Sequence, residues 1–155
     1  CEVRVARFHN IYGPNGTFQG GREKAPAAIC RKVIVSEPGG EVEIWGDGTQ
    51  TRSFLFIDDC IEAVRRFMSQ ENFQGPLNIG SEEMVSISEL VKIACEVEGK
   101  SLSVKTTAGP VGVQGRNSNN DLVRQVLQWD YSTDLRTGIA KTYHWIKSQL
   151  SKAQE

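Results

Sequence analysis

The stretch Val3-Arg4-Val5-Ala6-Arg7-Phe8 constrains the fold of this chain more than any other segment. In an extended strand successive side chains point to opposite faces. Val3 and Val5 therefore share one face, and Ala6 and Phe8 the other. Apolar residues on both faces mark a strand buried inside a parallel sheet, although Arg4 and Arg7 dilute the pattern. Such a strand needs backbone partners along both edges. Leu77–Ile79 is one candidate neighbour, and the chain offers few others. The strand also follows Cys1 with no cap or turn before it. Both observations lead to the expectation that residues 1–155 are a single C-terminal portion of a longer protein, with further strands upstream.

Beyond this strand, helices and strands alternate. Gly13 and Pro14 end the first ladder. Residues 25–35 read as a helix with Pro26 in its first turn, where the missing N–H costs nothing. Residues 42–45 and 52–57 read as strands around the turn Gly46-Asp47-Gly48, and Asp58 is placed to cap a helix over 59–70. After the short strand 77–80, Ser86-Ile87-Ser88-Glu89 forms a capping box for a helix ending at Gly99. Residues 102–104 are a further candidate strand, and 109–115 a loop with three glycines and Pro110. Residues 122–129 and a segment from Leu135 onward carry helical spacing. Alternation of this kind predicts an α/β fold.

Composition narrows the partners. The 155 residues carry 18 Lys and Arg against 19 Asp and Glu, a net charge of −1. That balance argues against nucleic-acid or anionic-membrane binding by bulk charge. No run approaches the ~18 consecutive apolar residues of a membrane span. Cys1, Cys30, Cys60 and Cys95 are widely separated and lack clustered histidines, which suits free, mostly buried thiols in a reducing cytoplasm and no metal site. His9, His144, Trp45, Trp129 and Trp145 read as structural, with the tryptophans in the core.

Four polar groups of residues fall in loops at strand ends, where α/β sheets place ligands: Asn10 with Tyr12, Arg22-Glu23-Lys24, Gln50-Thr51-Arg52, and Arg116-Asn117. Arginine suits a bidentate grip on phosphate, each charge-assisted contact contributing about 1.5–3 kcal/mol. Any one of these arginines is equally well a solvated surface residue, as is Lys32 on its helix. Their joint placement in glycine-containing loops points to a ligand. Lys24 lies at a helix N-terminus, where the dipole disfavours a cation. Partly buried beside Arg22 it would serve as an acid or base; paired with Glu23 it would be a plain surface lysine.

The segments Arg7-Phe8-His9-Asn10-Ile11-Tyr12-Gly13-Pro14, Gly46-Asp47-Gly48 with Arg52-Ser53-Phe54, and Asn78-Ile79-Gly80 resemble the extended short-chain dehydrogenase/reductases that act on nucleotide sugars. Gly20-Gly21-Arg22-Glu23-Lys24-Ala25-Pro26, Gln50-Thr51-Arg52-Ser53 and Gly115-Arg116-Asn117-Ser118 resemble its GDP-mannose 3,5-epimerase branch. Phe18-Gln19 and Gln114 depart from the plant members of that branch. The resemblance implies the C-terminal part of an extended Rossmann-type NAD(P)-binding fold: the last strands of a parallel sheet plus a small α/β substrate-binding subdomain. It implies that Asn10 contacts the sugar nucleotide, and that Glu23, Lys24 and Ala25 line the hexose, with Lys24 as acid/base partner. Lys32, Gln50, Thr51, Arg52 and Arg116 would hold the nucleotide diphosphate, and the backbone at Phe8 would approach the nicotinamide. In that branch NAD oxidises the hexose at C4, which acidifies the protons on C3 and C5 for exchange. The branch's cysteine acid/base, Tyr-x-x-x-Lys pair and glycine-rich dinucleotide loop are expected upstream. Another epimerase or 4,6-dehydratase of the same superfamily, or a non-catalytic binding module, fits the same residues, and a homo-oligomer is compatible with each.

Overall fold

A computed structural model of the chain describes residues 1–109 and 112–153. The opening strand, β1 (Ala6–Phe8), pairs in parallel with a strand at Leu77–Ile79, Ala6 lying opposite Leu77 and Phe8 opposite Ile79. One edge is thus partnered as the sequence predicts. No strand among the described residues covers the other, and Val3, Val5 and Phe8 are 66%, 50% and 56% exposed.

The expected strand over 52–57 is split. β2 (Ile11–Tyr12) precedes the helix α1 (Ala25–Val35), and β3 (Glu41–Trp45) follows it. β4 (Thr51–Ser53) and β5 (Leu55–Phe56) then separate at Phe54 and join different sheets, while Ile57 already opens the helix α2 (Ile57–Met68). Asp58 does not cap α2, because the helix starts two residues earlier than expected, at Ile57, with Phe56 at its N-cap. Next come β6 (Leu77–Ile79), β7 (Met84–Ser86), α3 (Ile87–Glu96), β8 (Ser103–Thr107), β9 (Gly115–Arg116), α4 (Asp121–Leu127) and α5 (Leu135–Lys152). Pro110, inside the predicted loop before β9, lies outside the described residues. Three parallel pairs form, β1–β6, β2–β5 and β3–β8, beside a mixed sheet in the order β7–β4–β9.

Local chemistry sets the helix ends. Ser86 Oγ accepts from the Glu89 N–H at 3.1 Å, the predicted cap of α3. Asp134 caps α5 by accepting from the Thr137 N–H at 2.9 Å. α1 ends at Ser36, where the Lys100 amine donates to the carbonyls of Val33, Ile34 and Ser36 at 2.9, 2.8 and 3.0 Å. A cation there also complements the negative end of the helix dipole.

Two apolar cores result, divided at β5. Phe56 points into the larger one with Tyr12, Ile29, Cys30, Val33, Cys95, Ile139 and Tyr143. Its neighbour Leu55 points to the opposite face, into the second core with Cys60, Phe67, Leu77, Ile79 and Trp129. Cys30, Cys60 and Cys95 are buried free thiols, and Cys1 is exposed. Burial pushes the Cys30 thiol up to about 12.

Candidate functional site

A cavity of about 500 Å³ opens between the loop before α1, α1 itself and the end of β3. Glu23, Ala25, Lys32 and Gln50, four of the residues chosen from sequence, line it together with Gly21, Ala28, Ile29, Glu43, Ile44, Trp45 and Ile87. The Lys32 amine donates to the Glu43 carbonyl at 2.6 Å, which holds a cation at the wall. Gln50 Nε2 donates to the Trp45 carbonyl at 2.9 Å, whereas its Oε1 is buried without a partner. Glu23 Oε2 is likewise a buried acceptor with no partner. Hydrogen bonding from its own N–H, reinforced by the N–H groups of Gly21 and Arg22 and by the Arg31 charge, outweighs burial and keeps the Glu23 carboxyl below the usual range. Buried polar atoms are normally satisfied. Two acceptors left open on residues of one cavity suit a ligand that brings hydroxyl or N–H donors.

A second group lies on β4 and β9. Thr51 pairs with Gly115 and Arg52 with Arg116, so the two arginines occupy neighbouring positions on parallel strands. Paired side chains on adjacent strands share a face at a spacing of about 5 Å. Like charges so placed are unfavourable, and an anion between them removes that cost. The Thr51 N–H donates to the Gln114 carbonyl at 2.8 Å, and Arg52 Nη1 to the Thr51 carbonyl at 2.7 Å. Arg116 also faces His9: burial first, then the charges of Arg116 and Arg7, hold the imidazole below its ordinary value. Gln50, Thr51 and Arg52 are consecutive, so one stretch of chain joins the cavity to the arginine pair.

Asn10 sits beside this stretch. It adopts a left-handed φ of 46°, which asparagine tolerates, and its Nδ2 donates to the Ser53 carbonyl at 3.0 Å. Phe8 and Lys24 line neither group. Lys24 occupies the N-cap position of α1, as expected, but its side chain is exposed and not partly buried beside Arg22. The alternative pairing with Glu23 is not formed either, since the ion-pair partner of Glu23 is Arg31.

Other expectations are corrected. Trp45 is 54% exposed and borders the cavity instead of packing the core. The alternation in β3, with Val42 and Ile44 buried, puts Trp45 on the outer face with Glu41 and Glu43, and that signal was readable in the sequence. Asp59, in the first turn of α2, is buried and accepts from the N–H groups of Ser132 and Thr133 and from Ser132 Oγ. Glu83 accepts from the Leu135 N–H at 3.1 Å.

Two spacings proper to a dinucleotide site occur in the chain, in the wrong surroundings. Gly109 and Gly112 lie between β8 and β9 and Gly115 opens β9, where a phosphate loop would need a strand before and a helix after. Tyr143 and Lys147 lie on α5, with Tyr143 buried in the larger core and both side chains bound to Glu98. Among the described residues no cluster of His, Cys, Asp or Glu suits a metal ion, and no helix is long and apolar enough to cross a membrane.

The sheet-and-helix frame thus carries the open acceptors of the cavity and the paired arginines, joined by the continuous stretch Gln50-Thr51-Arg52. The family profile of the NAD dependent epimerase/dehydratase family matches residues 1–80, and the chain belongs to that family. Its relatives include the GDP-mannose 3,5-epimerase of Arabidopsis thaliana, 51% identical over 97% of this chain and 39% of that protein. GDP-mannose 3,5-epimerase 1 of Oryza sativa subsp. japonica is 52% identical over the same shares. The chain thus spans about two fifths of the length of these curated relatives. Among solved structures, the UDP-glucuronic acid 4-epimerase of Bacillus cereus in complex with UDP-glucuronic acid and NAD aligns with a TM-score of 0.83 at 26% identity, covering 95% of this chain and 46% of that one. Pal from Bacillus thuringiensis aligns with a TM-score of 0.83 at 26% identity, covering 96% and 46%.

Proposed function

We propose that this chain is the substrate-binding portion of an NAD-dependent nucleotide-sugar epimerase acting on a GDP-hexose, GDP-mannose being the favoured substrate. The observation that carries the reading is the continuity of Gln50, Thr51 and Arg52 between a donor-accepting cavity and a paired-arginine anion site. A hexose joined to a diphosphate has both complements, hydroxyl donors and adjacent negative charges. Glu23, Ala25, Lys24 and Asn10 serve the hexose; Lys32, Gln50, Thr51, Arg52 and Arg116 serve the nucleotide diphosphate. The identity to GDP-mannose 3,5-epimerases across nearly the whole chain supports the choice of sugar nucleotide.

The residues present do not by themselves fit a dinucleotide, because the glycine and Tyr-Lys spacings lack the strand-to-helix setting and the open position that a cofactor needs. We assign cofactor binding to a separate portion of the whole protein, with the exposed end of β1 at Phe8 facing it. Lys24, exposed beside Glu23 and Ala25, is the proton carrier at the hexose end.

Calorimetric titration of the chain tests the reading. GDP-mannose is expected to bind more tightly than GDP, and GDP more tightly than UDP. Arg52→Gln and Arg116→Gln each weaken GDP binding about 10- to 100-fold, the value of one charge-assisted contact of roughly 1.5–3 kcal/mol. Equal affinity of both variants and the unaltered chain for GDP overturns the anion site.

A further inference from the structure

Residues 17–24 carry Glu23 to the cavity, yet the two glycines in the middle of this loop have nothing packed against them. Gly20 and Gly21 take left-handed φ values of 93° and 83°, and a side chain placed at either would meet no heavy atom within 4 Å. The N–H groups of Gly21 and Arg22 donate to the Glu23 carboxyl, and side chains hold the loop at its two ends. Arg31, on α1, donates from Nε to the Phe18 carbonyl at 3.0 Å, and its Nη2 lies 3.7 Å from Glu23 Oε1. The Phe18 ring packs edge-on against Trp145 of α5 at 5.5 Å between centroids. One guanidinium therefore clamps both ends of the loop, using donors that point in different directions from a rigid plane.

We propose that Arg31 is a positioning residue of the site, one that ties Oε1 of Glu23 to α1 and so leaves Oε2 as the acceptor for a hydroxyl of the ligand. Glu23 lines the cavity, its Oε2 is buried without a partner, and a ligand hydroxyl supplies the missing hydrogen. The other ionisable groups on the cavity wall are Lys32, held by the Glu43 carbonyl, and the Glu43 carboxylate. Neither is an ion-pair partner of Glu23, which leaves Arg31 as the cation that orients it. The ligand half of this inference rests on the hexose reading above; the positioning half does not.

The test uses Arg31→Gln, a residue that keeps helix propensity and two N–H donors but loses the charge and the reach. In the chain without ligand, the Glu23 carboxyl is followed by carbon-detected NMR titration, and trypsin cleavage between Arg22 and Glu23 by mass spectrometry. The variant is expected to raise the Glu23 midpoint and to speed cleavage several-fold. An unchanged midpoint with unchanged cleavage overturns the proposal. If Arg31→Gln fails to fold, Arg31→Lys decides: its single amine keeps charge near Glu23 but reaches one acceptor, so cleavage rises while the midpoint stays low, and unchanged cleavage again overturns the proposal. Calorimetry then separates the two halves. The unaltered chain is expected to prefer GDP-mannose to GDP, and Arg31→Gln to erase that preference while leaving GDP affinity unchanged. No preference in the unaltered chain defeats the hexose reading alone, with the titration and cleavage still deciding the role of Arg31.

Discussion

Glu82 serves three donors with two oxygens: the Asn120 N–H at 3.0 Å, Arg124 Nη1 at 3.3 Å and Arg124 Nη2 at 2.5 Å. The Arg124 hydrogen bonds first, and the Asn120 N–H second, hold its carboxyl below the ordinary glutamate value of 4.5. A carboxyl depressed in the folded state stabilises the fold above the unfolded value, and that contribution is lost as pH falls through the folded value. The acid limb of a stability–pH profile is therefore expected to begin just below pH 4.5, and Glu82→Gln to be less stable at pH 7 with a flatter acid limb. Urea unfolding at several pH values measures both; parallel limbs contradict it. At Lys24 the expectation concerns chemistry. On the epimerase reading proposed above, Lys24→Met in the intact enzyme is expected to lower the rate of hydrogen exchange at C3 and C5 of GDP-mannose in D₂O by about 10²–10⁴, the usual value of one positioned acid or base. Undiminished deuterium incorporation removes the role. That Glu23 and Gln50 fall where a cavity forms was legible from their place in or beside glycine-containing turns, whereas Ala25 and Lys32 were reached only through the family resemblance. Arg31 was not, since its part depends on the loop folding back over α1, which no local spacing encodes.

At the scale of elements, caps were the readable signal. Pro26 fixed the start of α1, Ser86 with Glu89 the start of α3, and the spacing from Leu135 the start of α5. β2, β7 and β9 escaped prediction because two or three residues show too little alternation. The break between β4 and β5 has the same origin: Ser53 to Phe56 is buried throughout, so its apolar run hides the change of sheet. How α5 docks was likewise invisible. Gly138 lets α5 approach β2 so closely that a methyl group there would lie 2.1 Å from the Tyr12 hydroxyl oxygen and 3.0 Å from the Phe56 ring. Tyr12 is buried, so its ring has little room to retreat. Gly138→Ala is expected to destabilise by about 1–3 kcal/mol, the range for overpacking a filled core, despite the better helix propensity of alanine. A thermal melt at or above that of the parent chain refutes this.

For the whole molecule, the unpartnered edge of β1 beside exposed Val3, Val5 and Phe8 has a physical cost. A parallel pair of strands with open outer edges is a template for further pairing. The chain alone is expected to self-associate in sedimentation, and Val5→Lys to shift it toward monomer; a parent chain that stays monomeric across concentrations contradicts both. The pairing of β1 with residues 77–79 was legible, because both segments read as short strands in the sequence. The division of the described residues into four small sheets was not, because pairings between distant strands leave no trace in local pattern. The two cores meet at Leu55 and Phe56, whose side chains point in opposite directions. Cys30 and Cys95 stand in one of those cores and Cys60 in the other, all shielded from solvent. The molecule thus carries its own chemical clocks: the speed at which a small reagent reaches each sulfur reports whether the two halves breathe together or one opens while its neighbour stays shut.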